Sequence, residues 1–305
     1  MSFVALKGAV EVGLIYSLVA LALYISYRTL DIADLTVDGS FSLGAAVTAV
    51  CTVAGHPFLG LLGAMAAGAA AGFVTALLQT KLKVQPILAG IITMTALYSI
   101  NMIVMGGRSN LPMAKKINVY GFFEDLGLAD SSKLVVTAVI VLLTGAFLVF
   151  FFRTPLGLSV RATGDNRDMV SASSINPAFT TTLGLCMANA IVALSGALLA
   201  QYTKVGDTTG GVGTVVIGLA SLIIGEVIVG RGGVFRCVCG AIVGAILYRI
   251  IIAAVLSASI SSYNLKLVSA VIVAVAISYP AIKEQFHLYK LRKAGKRHAD
   301  AGSNQ

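Results

Sequence analysis

The chain is poor in charge. Only 11% of its 305 residues are Asp, Glu, Lys or Arg, against 57% hydrophobic residues and a mean hydropathy of +0.92. Soluble domains carry roughly 25% charged residues, so this chain cannot clothe a globule in polar surface. Several membrane spans are expected instead. Cysteine is scarce and badly placed for a metal: Cys51, Cys186, Cys237 and Cys239 sit in apolar stretches, none at ligand spacing from a histidine. They read as small core residues, neither disulfides nor a zinc site. The three histidines, His56, His287 and His298, fall in a turn and in the tail, which argues against an imidazole proton relay. The phosphate-cradling pattern G-x-x-x-x-G-K-[ST] is missing: Gly295-Lys296 runs into Arg297 and lacks the upstream glycine and the hydroxyl. That excludes ATP hydrolysis by this chain. No credible nucleophile, base or metal constellation supports an intramembrane enzyme.

What the chain does have is apolar runs, at roughly 9–27, 41–54, 58–79, 87–105, 134–152, 181–202, 215–229, 237–256 and 267–282. A spanning helix needs about 20 residues; most runs qualify, but 41–54 and 215–229 are short and contain glycine. The opening "MSFVALKGAVEVGLIYSLVALALYISYR" carries Lys7 and Glu11 inside its run, with no early basic cluster and no small-x-small cleavage site. It reads as a retained first span. Arg28, Lys81, Lys83, Arg153, Arg161, Arg167, Arg231, Arg236 and the basic tail from Lys283 to Arg297 fall on one side of the resulting topology. That richer side is expected to be cytoplasmic, with the N-terminus outside and the C-terminus inside. The same rule explains the tail more simply than nucleic-acid binding does.

The expected fold class is an all-α polytopic membrane protein of about 8–10 helices, with broken or re-entrant segments near 34–54 and 207–229. "GSFSLGAAV" (Gly39 to Val47) can be laid on "GTVVIGLAS" (Gly213 to Ser221), a candidate two-fold internal repeat. Short, glycine-interrupted segments at corresponding points of two halves point to a path near mid-membrane. Residues 1–282 would form the transmembrane domain, and 283–305 a basic, partly disordered cytoplasmic tail.

Polar residues inside this oily chain are the candidates for function. In "DLTVDGSFSLGAAVTAV", Asp34, Thr36, Asp38, Ser40 and Gly44 open one short run. Their carboxylates either face a polar lumen or the inner mouth, or sit in an inner loop and cap a helix, with Ser40 as a further cap. Glu226 and Arg249 are embedded in spans, where ionisable groups are costly. Glu226 precedes Arg231 by five residues and Arg249 follows Arg236 by thirteen, so about 12 Å of depth separates the two. Arg249 would attract a substrate carboxylate or be a snorkelling, structurally paired arginine; Glu226 would pair near the inner gate, with Arg231 as the available partner. Thr93, Thr95, Ser99 and Asn101 fall largely on one face, to bond between helices or to line a path. Gly60, Ala64, Gly68 and Gly72 form a smooth ridge for close helix packing, within the subunit or between two copies. The connection 153–178 holds a turn at Gly164-Asp165 and a short amphipathic helix from Asn166 to Ser174, capped by Asp165 or Asn166. Such a helix suits docking in a groove of a soluble partner, although an ordered loop without a partner fits the same residues.

At this point a resemblance enters. "RTPLGLSVRATGDNRDMVSASSIN" resembles the ATPase-docking loop of permease subunits of bacterial ABC importers, in the branched-chain amino-acid and ribose permease superfamily. "DLTVDGSFSLGAAVTA", "KLKVQPILAGIITMTALYSINMIVMG" and "LYRIIIAAVL…NLKLVSAVIVAVA" are similar to a subgroup linked to tryptophan- and tyrosine-type binding proteins. The first motif reads "SFSLG" where many relatives carry a proline. The resemblance spans about residues 10–282. It implies an inner-membrane permease that pairs with a second permease copy, two ATPase subunits that hold ATP and Mg, and a periplasmic or lipoprotein solute-binding protein. It implies no cofactor on this chain. It makes Arg161, Gly164, Asp165, Asn166, Arg167 and Asp168 the ATPase-coupling residues. It implies import of a small solute, an amino acid and plausibly an aromatic one, by alternating access. The competing expectation is a stand-alone ion-coupled transporter working through Asp34, Asp38 and Glu226.

Overall fold

A computed structural model describes residues 3–113, 118–124, 132–230 and 232–257, with a few positions between 267 and 278. Helix α1 (Phe3–Leu23) continues into a π-helical turn, Tyr24–Thr29, and is followed by α2 (Thr36–Val53), α3 (Pro57–Thr80) and α4 (Pro86–Val104). After them come α5 (Val119–Phe123), α6 (Ser132–Phe151), α7 (Pro155–Asp165), α8 (Arg167–Ala172), α9 (Pro177–Thr203), α10 (Thr214–Val229) and α11 (Val234–Ser257). Two three-residue strands, β1 (Asn110–Pro112) and β2 (Val205–Asp207), pair antiparallel, with Leu111 opposite Gly206. Proline opens α3, α4, α7 and α9 at the first-turn position, where its missing N–H costs nothing.

Among the described residues seven helices are long and apolar enough to cross a membrane: α1 with its π turn, α2, α3, α4, α6, α9 and α11. Helices α1, α2 and α9 are mostly buried and form the centre, while α3, α4, α6 and α11 turn large apolar side chains such as Leu62, Ile103, Leu142, Phe150 and Phe235 outward. An apolar rim around an apolar centre suits lipid, not water. The chain is an all-α, multi-pass membrane protein. Most of the run 267–282 and the whole basic tail lie outside the described residues, as does Arg231.

Glycine and alanine set how closely the central helices meet. A Cβ on Gly44 would strike the Ala193 backbone, one on Gly68 or Gly72 would strike the α9 backbone at Asn189 or Leu185, and Gly60 lies against Thr48 and Cys51 of α2. Ala64 is fully buried on the same ridge. Of the two places open to the Gly60–Gly72 ridge, the structure gives the one inside the subunit, between α2 and α9.

Several local expectations change. The short run 41–54 becomes an unbroken helix, because α2 begins at Thr36 and takes in the polar turn at Asp38; the irregular backbone lies just before it, at 30–35. Ser40 is buried inside α2 and caps nothing. The first-turn N–H of Thr36 is instead accepted by Asp34 Oδ1 at 2.9 Å. Gly164 forms no turn, since α7 runs through it to Asp165 after Thr154 caps the start. Asn166 caps the short α8, accepting from Met169 N–H at 3.0 Å. On α4, Thr93 and Asn101 face inward and Thr95 and Ser99 outward, because positions two apart lie on opposite sides of a 3.6-residue helix. The two stretches offered as a repeat begin differently: Gly39 is inside α2, whereas Gly213 precedes α10 at φ 89°.

Candidate functional site

Two non-helical stretches enter the bundle, and the polar residues gather where they end. The first is Leu30–Leu35, which climbs along α9: Leu30 lies against Gly184, and Asp34 bonds to Asn189. Asn189 is the thirteenth residue of α9, about 18 Å from the start of a helix about 40 Å long. Asp34 therefore sits near the middle depth of the bundle. Backbone of this kind survives there only with protein or polar partners around it.

Those partners are specific. Asp34 is 2% exposed; Oδ1 accepts the Thr36 N–H at 2.9 Å and Oδ2 accepts Asn189 Nδ2 at 2.8 Å. Asn189 Oδ1 in turn accepts the Ser40 hydroxyl at 2.7 Å, and its Nδ2 also donates to Leu185 O at 3.0 Å. The Thr36 and Thr75 hydroxyls meet at 2.8 Å, and Thr75 donates onward to Ala71 O. One network thus ties α2, α3 and α9 to the irregular stretch, and a satisfied polar network of this kind fixes geometry.

The second stretch, Val205–Gly213, descends along α2. Gly206 lies against Ala45 and Ala49, and Gly211 against Asp38 and Ser42, whose hydroxyl accepts the Gly211 N–H at 3.0 Å. Helix α10 starts at that depth, and its 16 residues extend for about 24 Å. Asp38 holds its first turn: Oδ2 accepts Gly213 N–H at 2.8 Å, and Oδ1 accepts Val215 N–H and the Thr214 hydroxyl, each at 2.9 Å. A carboxylate facing the N–H groups of a helix N-terminus is favoured by hydrogen bonding and by the helix dipole together. Asp38 thus caps a neighbouring helix from its place inside α2.

At its other end α10 is held by Glu226, whose Oε1 lies 2.9 Å from Arg28 Nε in the π-helical turn. Arg28 is 44% exposed and Glu226 9%. The expected neighbour Arg231 falls outside the described residues, and Arg28 was not foreseen because it lies far earlier in the chain, across the bundle. The turn that carries it is bonded from Leu30 N–H to Ile25 O and from the Thr29 hydroxyl to Tyr24 O, each spanning five residues. Helix α7 rests on this turn. A Cβ on Gly164 would strike Thr29 O, and Thr163 on α7 meets Thr180 on α9 through their hydroxyls at 2.7 Å. Arg161, Asp165, Asn166, Arg167 and Asp168 are exposed around it, at the end of the bundle we call the hairpin end.

Other candidates stand apart from this centre. Arg249 lies with its guanidinium carbon 3.8 Å from the centre of the Tyr16 ring, a cation–π contact between α11 and α1. Asn101 is 1% exposed, and neither amide atom has a partner among the described residues. Asn189, Thr75, Ser42 and Arg28 were missed from sequence. For Asn189 the available signal was an amide in the middle of the apolar run "LCMANAIVAL".

Comparison with known proteins agrees with this architecture. A family described as the permease component of branched-chain amino acid transport systems matches residues 6–277. The tyrosine transport system permease protein of Clostridioides difficile (strain R20291) is 35% identical over 86% of this chain and 86% of its own length. An uncharacterized protein of Rickettsia prowazekii (strain Madrid E) is 30% identical over 88% of this chain and 95% of its own. The ribose import permease protein RbsC of Escherichia coli (strain K12) is 24% identical over 80% of this chain and 75% of its own. No solved structure matches the chain. With seven helices long and apolar enough to span among the described residues, a hairpin seated against the bundle and a match from residue 6 to residue 277, the chain belongs to the permease-component family of branched-chain amino acid transport systems.

Proposed function

We propose that this chain is the membrane-spanning subunit of an ATP-driven ABC importer. It would pass a small polar solute, an amino acid and first of all an aromatic one such as tyrosine, delivered by a solute-binding protein. The solute class is supported by the 35%-identical relative named as a tyrosine transport permease. The single observation that carries the mechanism is the seat of α7 on the irregular turn at Thr29–Leu30, made possible by the bare Cα of Gly164. Force applied at the α7–α8 hairpin would reach the turn leading directly into the polar network of Asp34, Asn189 and Ser40.

In this reading the hairpin end faces the cytoplasm of a bacterium, and two ATPase subunits carrying ATP and Mg bind there. Arg161, Gly164, Asp165, Asn166, Arg167 and Asp168 form the coupling surface. Two permease copies enclose the path, and ATP-driven closure of the motors alternates its access between the two faces. Asp34, Thr36, Asp38, Ser40, Gly44, Thr93, Asn101, Glu226 and Arg249 belong to the path or to the framework that shapes it.

The test is reconstitution. The purified permease is combined in vesicles with its ATPase and binding protein, and labelled tyrosine uptake is followed with and without ATP. Uptake that needs ATP and all three proteins, and that is lost when residues 160–178 are replaced by a Gly-Ser linker, is the expected result. Uptake that persists without the ATPase and collapses with an uncoupler would overturn the proposal and favour an ion-coupled carrier.

A further inference from the structure

Helix α10 is held very differently at its two ends. Its N-terminus is fixed to α2 by three hydrogen bonds from Gly213, Thr214 and Val215 to the Asp38 carboxylate, plus the bond from Gly211 to Ser42. Its C-terminal end is tied to the π-helical turn by the Arg28–Glu226 ion pair at 2.9 Å. Arg28 is 44% exposed, so water screens the pair and lowers the cost of parting it. The bonds at Asp38 sit deeper in the bundle. Between them α10 packs backbone to backbone on α11, at Gly225, Gly240 and Gly244, so the two helices form one unit; against the rest of the bundle that unit is firm at Asp38 and releasable at Glu226.

The releasable end adjoins the hairpin. Gly164 of α7 lies against Thr29 and Leu30, the residues directly after Arg28. A π turn holds one residue more than the α-helix around it and often marks a functional site. Pressure on Thr29 that rewinds this turn rotates the residues within it, Arg28 included, relative to α10.

We infer that Arg28 and Glu226 form a latch: motion of the α7–α8 hairpin breaks and remakes their ion pair, which frees α10, with α11 seamed to it, to swing about its Asp38 end. Both are positioning residues for the transport cycle. The inference rests on the importer reading above, and adds the pair through which the hairpin acts on α10.

Arg28→Glu, Glu226→Arg, the double exchange and Arg28→Lys are compared with wild type in vesicles holding the ATPase and binding protein. Two quantities are read: solute taken up, and ATP hydrolysed per solute moved. Each charge reversal should cut uptake at least 10-fold while hydrolysis continues, raising ATP used per solute. The double exchange should recover at least a third of wild-type uptake, and Arg28→Lys, which keeps the charge, most of it. A merely structural pair would change protein abundance and leave the ratio alone. Single variants that keep wild-type coupling, or a double exchange no better than the worse single variant at equal abundance, overturn the latch. Wild-type vesicles that show neither ATP-dependent uptake nor hydrolysis stimulated by the loaded binding protein overturn the importer reading, and the latch with it.

Discussion

Replacing Asp38 with alanine removes the group that holds the start of α10, and the structure lets the cost be worked out. The carboxylate accepts three hydrogen bonds, from Gly213 N–H, Val215 N–H and the Thr214 hydroxyl. Hydrogen bonds to charged groups contribute about 1.5–3 kcal/mol each. The three share one acceptor and do not add in full, so Asp38→Ala should cost about 3–5 kcal/mol. Two backbone N–H groups are then stranded inside the bundle, which is the larger part of the loss. Asp38→Asn keeps one carbonyl oxygen for two of the three donors and should lose about half as much. At about 2–3 °C per kcal/mol for a chain of this size, Asp38→Ala should melt roughly 6–15 °C below wild type. Circular dichroism on the detergent-purified chain gives the measurement. The control is Asp165→Ala, an exposed carboxylate at the end of α7, expected to stay within about 0.5 kcal/mol of wild type. If Asp38→Ala melts with wild type, or Asp165→Ala falls as far, the account of how α10 is anchored is wrong.

Two further outcomes can be checked by the same melting curves. Asn101→Leu should leave the protein as stable as wild type or about 1–2 kcal/mol more stable, because it removes a buried amide with no partner among the described residues; a loss of more than about 1 kcal/mol would mean the amide is satisfied after all. Gly164→Val should cost about 1–3 kcal/mol by forcing α7 off Thr29. Gly233→Ser, where an added Cβ meets nothing within 4 Å and the hydroxyl suits the residue whose carbonyl opens α11, should cost nothing measurable, and equal losses at the two glycines would remove the steric explanation.

The class of the fold and the positions of most spans were legible because lipid imposes length and apolarity on each helix separately. The Gly60–Gly72 ridge and the Asn166 cap were legible for a similar reason: each is a local pattern with a local cause. Partners across the bundle were not. Asp34 and Asn189 are 155 residues apart and Asp38 and Val215 are 177, and no periodicity links residues at such separations. The start of α2 was misplaced because a polar turn with Asp38 reads as the end of an apolar run. There Asp34 takes the Thr36 N–H, and α10 brings donors to the Asp38 carboxylate. The α7 helix was overlooked because "TGD" carries a turn signal that tertiary contact with Thr29 overrides.

The seams at Gly44, Gly68 and Gly72 have a mechanical corollary. Where backbone meets backbone there is no side chain to change rotamer, so α2, α3 and α9 cannot slide past one another by a residue without driving a Cβ into a neighbouring carbonyl. These three helices therefore move as one keel. Helices α10 and α11 are seamed to each other in the same way, at Gly225, Gly240 and Gly244, so whatever rearrangement opens a passage has to be carried by that pair moving as a unit, or by the outward-facing α4 and α6.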